Sequence, residues 1–312
     1  MEGKNTRSSG PGGGLYDMQR VLEGARGLAP ARLVVVNPYD AATLEAVSRA
    51  AELGIVHPIM VGSLRRIRDA AQGCGTDIGE FTLVDTGTEA VLERGAALLR
   101  DGEADFIMKG MVGTGAFIHV LLDPRWGVRT ENILSHAGMM EIPETGRVFL
   151  VSDAAINILP NFSRKIQIVR NAVSAARRMG VPVPRVAMLA AVETVKLPAM
   201  PATLDAFLMK KYAGTGVFGP CLVDGPFAFD NAVDPEKAGE KGIGGPVAGM
   251  ADVVIAPNIE TGNVIWKFYT CVQRANPAGV VLGGSCPIVV PSRADDAVTK
   301  LHSIQLARLL LG

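Results

Sequence analysis

Hydrophobic and polar positions along the first third of the chain follow two alternating periods. From residue 32, short apolar runs rich in β-branched residues are each followed by a longer segment with helical spacing. The four apolar runs are RLVVVN (32–37), HPIMVG (57–62), FTLVD (81–85) and DFIMKG (105–110). Because strands that alternate with helices form parallel sheets covered by helices on both faces, the pattern predicts an α/β fold.

The alternation changes once, near the middle of the chain. ILSHAGMMEI (133–142) and GRVFLVSD (146–153) are joined by a Pro-Glu-Thr-Gly turn, which predicts two antiparallel strands at a domain junction. Strand and helix patterns then alternate again as far as PIVV (287–290) and a last helix. We therefore predict a first α/β domain formed by 15–150 plus 287–312, and a second formed by 151–286. Residues 1–14 are polar and glycine-rich, so we expect a disordered lead.

The amino-acid composition indicates which class of molecule the protein binds. The 312 residues are 20% charged and 48% hydrophobic, and Lys+Arg and Asp+Glu balance at 31 each. Without a basic field, neither nucleic acid nor an anionic membrane surface is expected, and a small molecule is the better default. No apolar run reaches the ~18 residues that a transmembrane helix needs, and no secretory signal is seen, so we expect no membrane association.

The spacing of the cysteines and histidines indicates the cellular location to expect and whether a metal site is expected. The four cysteines are far apart and form no CxxC pair: Cys74, Cys221, Cys271 and Cys286. Scattered cysteines are typical of reduced thiols, which predicts a cytoplasmic protein. The four histidines do not show metal-ligand spacing, so no metal is expected.

One glycine motif matches a dinucleotide fingerprint in letters only. Residues 214–219, GTGVFG, have the form GxGxxG, but a helical pattern precedes them and a strand pattern follows. The fingerprint needs the opposite order, so the match is attributed to chance and a Rossmann cofactor site is disfavoured.

A second glycine-rich turn has the right context for anion binding. Lys109-Gly-Met-Val-Gly-Thr114 follows an apolar strand and precedes a helix. Backbone N–H groups in such a turn can hold an anion, with charge from Lys109 and a hydroxyl from Thr114. The alternative is a turn that binds nothing. We favour the anion site, because a lysine at the end of a buried strand is costly without a use.

Two further polar clusters follow predicted strands. Asp153 and Asn157 could line a cleft, but Asp and Asn also form ordinary turns, and the two interpretations are equally supported. Glu260 and Asn263 lie near a helix start, where an acid suits the helix dipole whatever its function. In this second cluster only the Gly262-Asn263 pair suggests that backbone approaches a ligand.

The stretch Ser292-Arg-Ala-Asp-Asp296 precedes the last helix. Ser292 and Asp295 have the spacing of a capping box, which explains both residues. Capping does not explain Arg293, whose cation in a first helical turn opposes the helix dipole by up to ~1 kcal/mol. A bound phosphate would reverse that sign, and a surface ion pair with Asp295 or Asp296 is the alternative.

Five blocks in this order resemble the phosphate acetyl/butyryl transferase family, the butyryl branch more than the acetyl branch. The blocks are MKGMVGT (108–114), VSDAAINILP (151–160), DGPFAFDNAV (224–233, with Gly-Pro at 219–220), ADVVIAPNIETGNVIWK (251–267) and PIVVPSRADD (287–296). The resemblance implies two α/β domains with an interdomain cleft, similar to isocitrate and isopropylmalate dehydrogenases. It also implies a homodimer.

The resemblance further implies a reaction: a short-chain acyl-CoA and orthophosphate give an acyl phosphate and CoA. Coenzyme A is then a substrate, no cofactor is needed, and transfer occurs in a ternary complex without an acyl-enzyme. Ser292 and Arg293 match the family's phosphate-binding pair, and its proposed base falls on Asp295 or Asp296. The acetyl branch places an arginine near His119, which leaves His119 or Arg129 to contact the acyl phosphate.

Two other functions are alternatives. A metal- and NAD-dependent decarboxylating dehydrogenase would need an aspartate cluster and an adenine-binding loop, and neither is apparent in the sequence. A CoA-binding module without turnover, partnered with an enoyl-CoA hydratase, is the second alternative, and the intact Ser-Arg-Ala-Asp-Asp stretch speaks against it.

Overall fold

The computed structural model describes residues 14–87 and 90–311. These residues form two compact units. Unit A comprises 22–133 and 276–311, and unit B comprises 14–21 and 134–275. The predicted disordered lead, 1–14, lies outside the described residues except for its last position.

Strands and helices alternate along the described chain. The strands are β1 (Leu15–Tyr16), β2 (Ala31–Val36), β3 (Val56–Gly62), β4 (Thr82–Asp85), β5 (Phe106–Lys109), β6 (Ser135–Ile142), β7 (Arg147–Ser152), β8 (Arg185–Leu189), β9 (Leu222–Phe227), β10 (Val253–Ile255), β11 (Ala278–Leu282) and β12 (Ile288–Val289). The α-helices are α1 (Met18–Glu23), α2 (Ala41–Glu52), α3 (Leu64–Cys74), α4 (Val91–Arg100), α5 (Thr114–Leu121), α6 (Phe162–Arg178), α7 (Pro201–Ala213), α8 (Phe229–Val233), α9 (Pro235–Glu240), α10 (Ile259–Lys267) and α11 (Ala297–Leu311). A π-helical turn, Phe268–Val272, continues α10.

Unit A is built on a sheet with the strand order β4-β3-β2-β5-β12-β11. All of its strands are parallel except β11, which pairs antiparallel with β12. The chain runs outward from β2 through β3 to β4 and then continues on the other side of β2 with β5. The strand order therefore reverses between β2 and β5, and this is where open α/β sheets bind ligands, outside the carboxyl ends of the strands.

The central strands of unit A are apolar along most of their length because helices cover both faces. Leu33 and the three valines that follow it in β2 are fully buried, as are the β5 residues Ile107 and Met108. Helix α11 packs against α2 and β11, and Gly279 N–H in β11 donates to Ser303 Oγ in α11 at 2.9 Å. The four predicted strand–helix units, β2 to α5, are confirmed.

Unit B has the strand order β6-β7-β10-β8-β9, and β1 adds an antiparallel pairing to β7. Strands β7, β10, β8 and β9 are parallel, while β6 and β7 form the predicted antiparallel pair. The core of this unit includes Phe149, Val254, Trp266 and Tyr269. Because β10 lies between β7 and β8, the carboxyl ends of these three strands meet at one edge of the sheet.

The division between the units differs from the predicted domain bounds. Unit B begins at residue 134 and not at 151, because β6 pairs with β7 and belongs to the same sheet. Unit A resumes at 276 and not at 287, because β11 pairs with β12 and packs under α11.

No helix in the described part of the chain is both long enough and apolar enough to cross a membrane.

Candidate active site

The crevice between β2 and β5 in unit A is lined by two loops that fit tightly together. Met111 N–H donates to the carbonyl of Asn37 at 2.8 Å. A Cβ at Gly110 would lie only 2.3 Å from that same carbonyl oxygen, so only glycine allows this approach. Asn37 itself has a φ of 51°, a left-handed conformation that asparagine tolerates better than most residues. The backbone at the switch point is therefore fixed by Gly110 and Asn37.

Lys109 is the cation at the base of this crevice. Its side chain is buried, with 3% of the residue exposed, and Nζ donates to the carbonyls of Gly110 and Val112 at 3.3 and 3.4 Å. These are long hydrogen bonds to neutral groups, which compensate a buried ammonium poorly. Burial lowers the pKa of Lys109, and the charges of Arg293 and Lys300 lower it further.

The loop after β12 brings the predicted phosphate-binding residues to the same edge of the unit A sheet. Ser292 Oγ accepts from Ala294 N–H at 3.3 Å, and Asp295 Oδ2 accepts from Ser292 N–H at 2.8 Å. Arg293 is exposed, and its charge acts on Lys109. Asp295 carries the opposite charge and raises the pKa of Lys109.

The predicted capping box at Ser292 and Asp295 is wrong. Helix α11 begins at Ala297, five residues after Ser292, and its cap is Asp296, whose Oδ1 accepts from Thr299 N–H at 2.8 Å. Ser292 and Asp295 instead close a turn that precedes the helix. Arg293 thus lies outside the first helical turn, and the dipole argument for a bound phosphate no longer applies. The remaining argument is the proximity of Arg293 to Lys109.

A second buried cation was missed by the sequence analysis. Lys300, in the first turn of α11, donates to Asp40 Oδ1 at 2.7 Å and to Thr43 Oγ1 at 3.1 Å. Asp40 also caps α2 by accepting from Thr43 N–H at 2.9 Å. Asp40 was recognisable as a cap from its position before a helical pattern, but its partner in α11 was not.

The other predicted residues of unit A lie along or beyond α5. Thr114 is the first residue of α5 and is exposed. His119 lies in the last turn of α5 and is exposed, with the carboxylate of Asp123 in its electrostatic environment. Arg129 is exposed in the segment after Gly127. Of these three residues, Thr114 is the nearest in sequence to the Lys109 loop, because it is the first residue of the helix that follows that loop.

In unit B, Asp153 and Asn157 form a buried loop structure. The Asp153 carboxylate, in a residue only 2% exposed, accepts from the backbone N–H groups of Ala155, Ile156 and Asn157 at 2.8 to 3.2 Å. It also accepts from Asn157 Nδ2 at 2.6 Å, and Nδ2 donates to Leu134 O as well. This arrangement supports the turn interpretation, in which both side chains shape the loop after β7.

Helix α10 packs directly onto that loop. A Cβ at Gly262 would lie 2.1 Å from the carbonyl oxygen of Asp153, and Asn263 Nδ2 donates to Ala154 O at 3.3 Å. The close backbone approach expected at Gly262-Asn263 is therefore to the protein's own loop. Glu260 is exposed in the first turn of α10, as the dipole argument predicted.

Glu260 also borders an apolar cavity within unit B. The cavity has a volume of about 890 Å³ and lies beside the carboxyl ends of β8 and β10. Its apolar walls include Leu189, Phe229, Val264 and Phe268.

His136 is a further buried polar residue that sequence reasoning missed. Its ring packs edge-on against Trp266, with 5.2 Å between the ring centroids. Burial lowers the pKa of His136, and the nearby Asp153 carboxylate opposes that shift. The register that pairs Gly138 of β6 with Val151 of β7 brings His136 near Asp153, and the sequence alone does not give that register.

GTGVFG (214–219) follows α7 and precedes β9, as predicted for a chance match. Burial raises the pKa of the Cys286 thiol to about 12. Among the described residues, no three His, Cys, Asp or Glu side chains are grouped so that they could hold a metal ion.

The fold and the site define a class: α/β proteins of two units, with a cationic crevice at the switch point of one sheet. Among solved structures, a branched-chain phosphotransacylase from Enterococcus faecalis V583 is similar, with a TM-score of 0.80, 27% identity, and 90% of this chain and 99% of that chain covered. A phosphotransacetylase from Streptococcus pyogenes shares the fold, with a TM-score of 0.76 at 21% identity over 94% of this chain and 99% of that chain.

Sequence comparison gives the family. The family profile described as Phosphate acetyl/butaryl transferase matches residues 88–307, more than half of the chain. A phosphate acetyltransferase from Rhizobium meliloti is 39% identical over 295 residues, covering 94% of this chain and 92% of the relative. A phosphate butyryltransferase from Clostridium acetobutylicum is 38% identical over 282 residues, covering 90% and 93%. The chain belongs to the phosphate acetyl/butyryl transferase family.

Proposed function

We propose that the protein transfers a short acyl group between coenzyme A and orthophosphate. In one direction, a phosphate oxygen attacks the thioester carbonyl carbon, and the tetrahedral intermediate collapses with loss of CoA as a thiolate. In the other direction, the CoA thiolate attacks an acyl phosphate and orthophosphate leaves. The acetyl- and butyryltransferase names of two relatives, 39% and 38% identical to this chain, support this reaction class.

Lys109 is the observation that carries the proposal. A buried ammonium whose described hydrogen bonds reach only two carbonyl oxygens, at 3.3 Å or more, is incompletely compensated. A bound phosphate would supply the missing negative charge and strong acceptors. The switch-point location is where open α/β sheets hold ligands, so Lys109 and the Thr114 hydroxyl are the proposed contacts on this side.

Ser292 and Arg293 are proposed to complete the phosphate site. Their loop follows β12, the strand next to β5, and Arg293 is close enough to Lys109 to influence its pKa. A guanidinium can bind two phosphate oxygens at once, which fixes orientation as well as charge. Cations and N–H donors at this place would also stabilise the negative charge that develops in the tetrahedral intermediate.

For the base we propose Asp296. It is exposed, and one helix amide, that of Thr299, holds its Oδ1 atom and thereby fixes its direction. Asp295 instead accepts from Ser292 N–H, and its charge offsets that of Lys109. A CoA thiol with a pKa of about 8.5 needs only modest help to ionise near neutral pH, so one carboxylate is sufficient.

Direct transfer, without an acyl-cysteine, fits the buried thiol of Cys286 and the half-buried thiol of Cys221. Burial raises the pKa of Cys286 to about 12 and also raises the pKa of Cys221. A thiol with a raised pKa is a poor nucleophile at neutral pH because little thiolate is present.

The test is a thiol-release assay with butyryl-CoA or acetyl-CoA, with and without phosphate. We expect release only with phosphate. Asp296→Asn, which can still cap α11, should lower kcat about 100-fold or more, as loss of a general base does. Asp295→Asn, which also keeps its hydrogen bond to Ser292 N–H, is the matched control and should cost much less. The absence of phosphate-dependent release would refute the proposed reaction, and a larger loss in the control would move the base to Asp295.

Assembly and location are part of the proposal. We propose a homodimer, supported by the exposed apolar side chains of Val264 and Phe268, which border the same cavity of unit B, since grouped apolar surface marks interfaces. Light scattering should then give twice the 32.8 kDa chain mass. A cytoplasmic location is supported by the four free cysteines.

A further inference from the structure

A cavity separate from the crevice lies at the amino edge of the unit A sheet. Its volume is about 580 Å³, within the range of about 300 to 1,000 Å³ that is usual for small-molecule sites. It is bordered by residues that precede or begin three neighbouring parallel strands: 29–31 at β2, Asp105 before β5, and Ser285 and Cys286 before β12. Because β2 has six residues and a strand rises about 3.3 Å per residue, the cavity lies about 20 Å from the crevice.

The walls of this cavity carry charges of both signs. Arg308 and Arg100 both border it, and Arg308, which is 6% exposed, donates from Nε and Nη2 to the carbonyl of Ala29 at 3.0 and 2.8 Å. Asp105 accepts from Arg32 Nη2 at 2.6 Å, and this hydrogen bond lowers the pKa of Asp105, so its carboxylate is charged at neutral pH. A carboxylate has about four acceptor positions, so Asp105 can accept a further donor while it keeps Arg32.

One wall of the cavity is apolar, and two helices end there. Trp126, Leu99 and Leu311 supply the larger apolar side chains. The guanidinium carbon of Arg100 lies 5.3 Å from the centroid of the Trp126 ring. Leu99 and Leu311 belong to the last turns of α4 and α11, so the carboxyl ends of both helices lie at the cavity. A helix carboxyl end carries partial negative charge, which favours a bound cation.

We infer that this cavity binds an α-amino acid with an apolar side chain. The ammonium group is placed at Asp105 and the two helix ends, which both favour a cation. The carboxylate is placed at the guanidinium groups of Arg100 and Arg308. The side chain packs on Trp126, which offers a large apolar face. A simple anion is disfavoured by Asp105 and a simple cation by the arginines, whereas a zwitterion satisfies both. The ligand is not a substrate, so the inference goes beyond the proposed reaction.

Ligands that each lack one charged group test the recognition of a zwitterion. Isocaproate is leucine without its ammonium group, and isopentylamine is leucine without its carboxylate. In calorimetric titrations of the purified full chain, we expect L-leucine to bind at one site per chain and each analogue to bind at least about tenfold more weakly, the loss expected for one charge-assisted contact. The inference is overturned if neither L-leucine nor the larger L-phenylalanine binds, or if either analogue binds as tightly as leucine.

Arg100 and Arg125 form a matched pair for mutation. Their guanidinium carbons lie 5.3 and 5.4 Å from the centroid of the Trp126 ring, and each pairs with a nearby aspartate on the surface. Arg100 borders the cavity, whereas Arg125 is not among its described lining residues. We expect Arg100→Gln to weaken leucine binding at least about tenfold and Arg125→Gln to leave it within about twofold of the wild type. Equal effects of the two substitutions would contradict the inference.

Cys286 shows where in the molecule the amino acid binds. This residue borders the cavity and is 9% exposed, whereas Cys74 is exposed at the end of α3. Both thiols are modified with methyl methanethiosulfonate, a small neutral reagent, and each rate is followed by peptide mass spectrometry. Leucine at ten times its Kd should slow the modification of Cys286 about tenfold, because that fraction of the sites remains empty, and should leave the rate at Cys74 unchanged. Leucine binding without protection of Cys286 would place the ligand elsewhere and overturn the inference.

Discussion

Lys300 and Asp40, which are 260 positions apart in the chain, form an ion pair with 2.7 Å between Nζ and Oδ1. The Lys300 side chain is 3% exposed and that of Asp40 27%. Burial raises the pKa of Asp40, but the hydrogen bonds from Lys300 and Thr43 outweigh burial and lower it. One carboxylate thus joins the start of α2 to the first turn of α11, and α11 follows the loop that carries Ser292 and Arg293.

Removal of one partner of this pair should be costly. We expect Lys300→Met to lower the free energy of unfolding by about 3 kcal/mol, because Asp40 is left with an uncompensated, partly buried charge. Urea denaturation at pH 7 measures the loss. Arg49→Met, in an exposed pair with Glu52, is the control and should cost less than about 1 kcal/mol. The effect should shrink once acid protonates Asp40, since the stabilisation from its lowered pKa is lost as the pH falls through that pKa. Equal losses in the two variants would contradict this account.

Lys109→Met should separate stability from activity. Burial, with Arg293 and Lys300, lowers the pKa of Lys109, so the folded protein bears a cost for keeping this side chain charged. Methionine removes that cost, and we expect the free energy of unfolding at pH 7 to rise by about 1 kcal/mol. The gain should disappear above pH 10.5, the ordinary pKa of lysine, where the side chain is neutral in both states.

In the same variant, the KM for phosphate should rise at least about tenfold, the loss of one charge-assisted contact. The KM for acyl-CoA should change much less. A destabilised Lys109→Met protein with normal phosphate kinetics would remove Lys109 from the site.

Elements fixed by local pattern could be predicted from the sequence. Strands β2 to β5 are short runs rich in apolar residues, and the helices between them follow from 3.6-residue periodicity. Lys109 was found because a charged residue ends a buried strand, a conflict visible in the sequence alone. The antiparallel β6–β7 pair followed from its four-residue turn in the same way.

The long-range features could not be predicted. The predicted start of α11 is too early in the chain, because Ser292/Asp295 and Asp296/Thr299 both have the spacing of a cap and only packing selects one. The sequence gives no sign that Lys300 is buried, since its partner lies 260 positions away. Gly262 suggested a ligand, but the group that needs the space is the backbone of Asp153, and the sequence contains no information about that contact.

Gly262→Ala should disrupt the contact between α10 and the loop after β7. A Cβ at this position would lie 2.1 Å from Asp153 O and 2.9 Å from the Cα of Ala154, and neither backbone atom can rotate away. We expect a loss of at least about 2 kcal/mol in unfolding free energy, as for other overpacked sites. Gly73→Ala in α3, where a Cβ would meet nothing within 4 Å, should be neutral or slightly stabilising. A Gly262→Ala protein as stable as the wild type would show that α10 does not pack here.

Two buried histidines should make stability depend on pH. Burial lowers the pKa of both His136 and His302 below the ordinary 6.5. The unfolded chain therefore binds more protons below pH 6.5, and stability should fall on acidification from about pH 7 to about pH 5. Each histidine contributes a slope of at most about 1.4 kcal/mol per pH unit. His302→Gln should flatten the profile measured by urea denaturation, and an unchanged slope in that variant would refute the assignment.

The most direct test of the central claim is to observe the product formed from phosphate. Purified protein is incubated with butyryl-CoA and orthophosphate, acyl phosphate is followed by ³¹P NMR, and released CoA is titrated in the same sample. The account predicts one acyl phosphate for each CoA released. The rate should reach a maximum as the phosphate concentration rises, and the Arg293→Ala substitution should lower it. CoA release without acyl phosphate, or no release with acetyl-, propionyl- or butyryl-CoA, would contradict it.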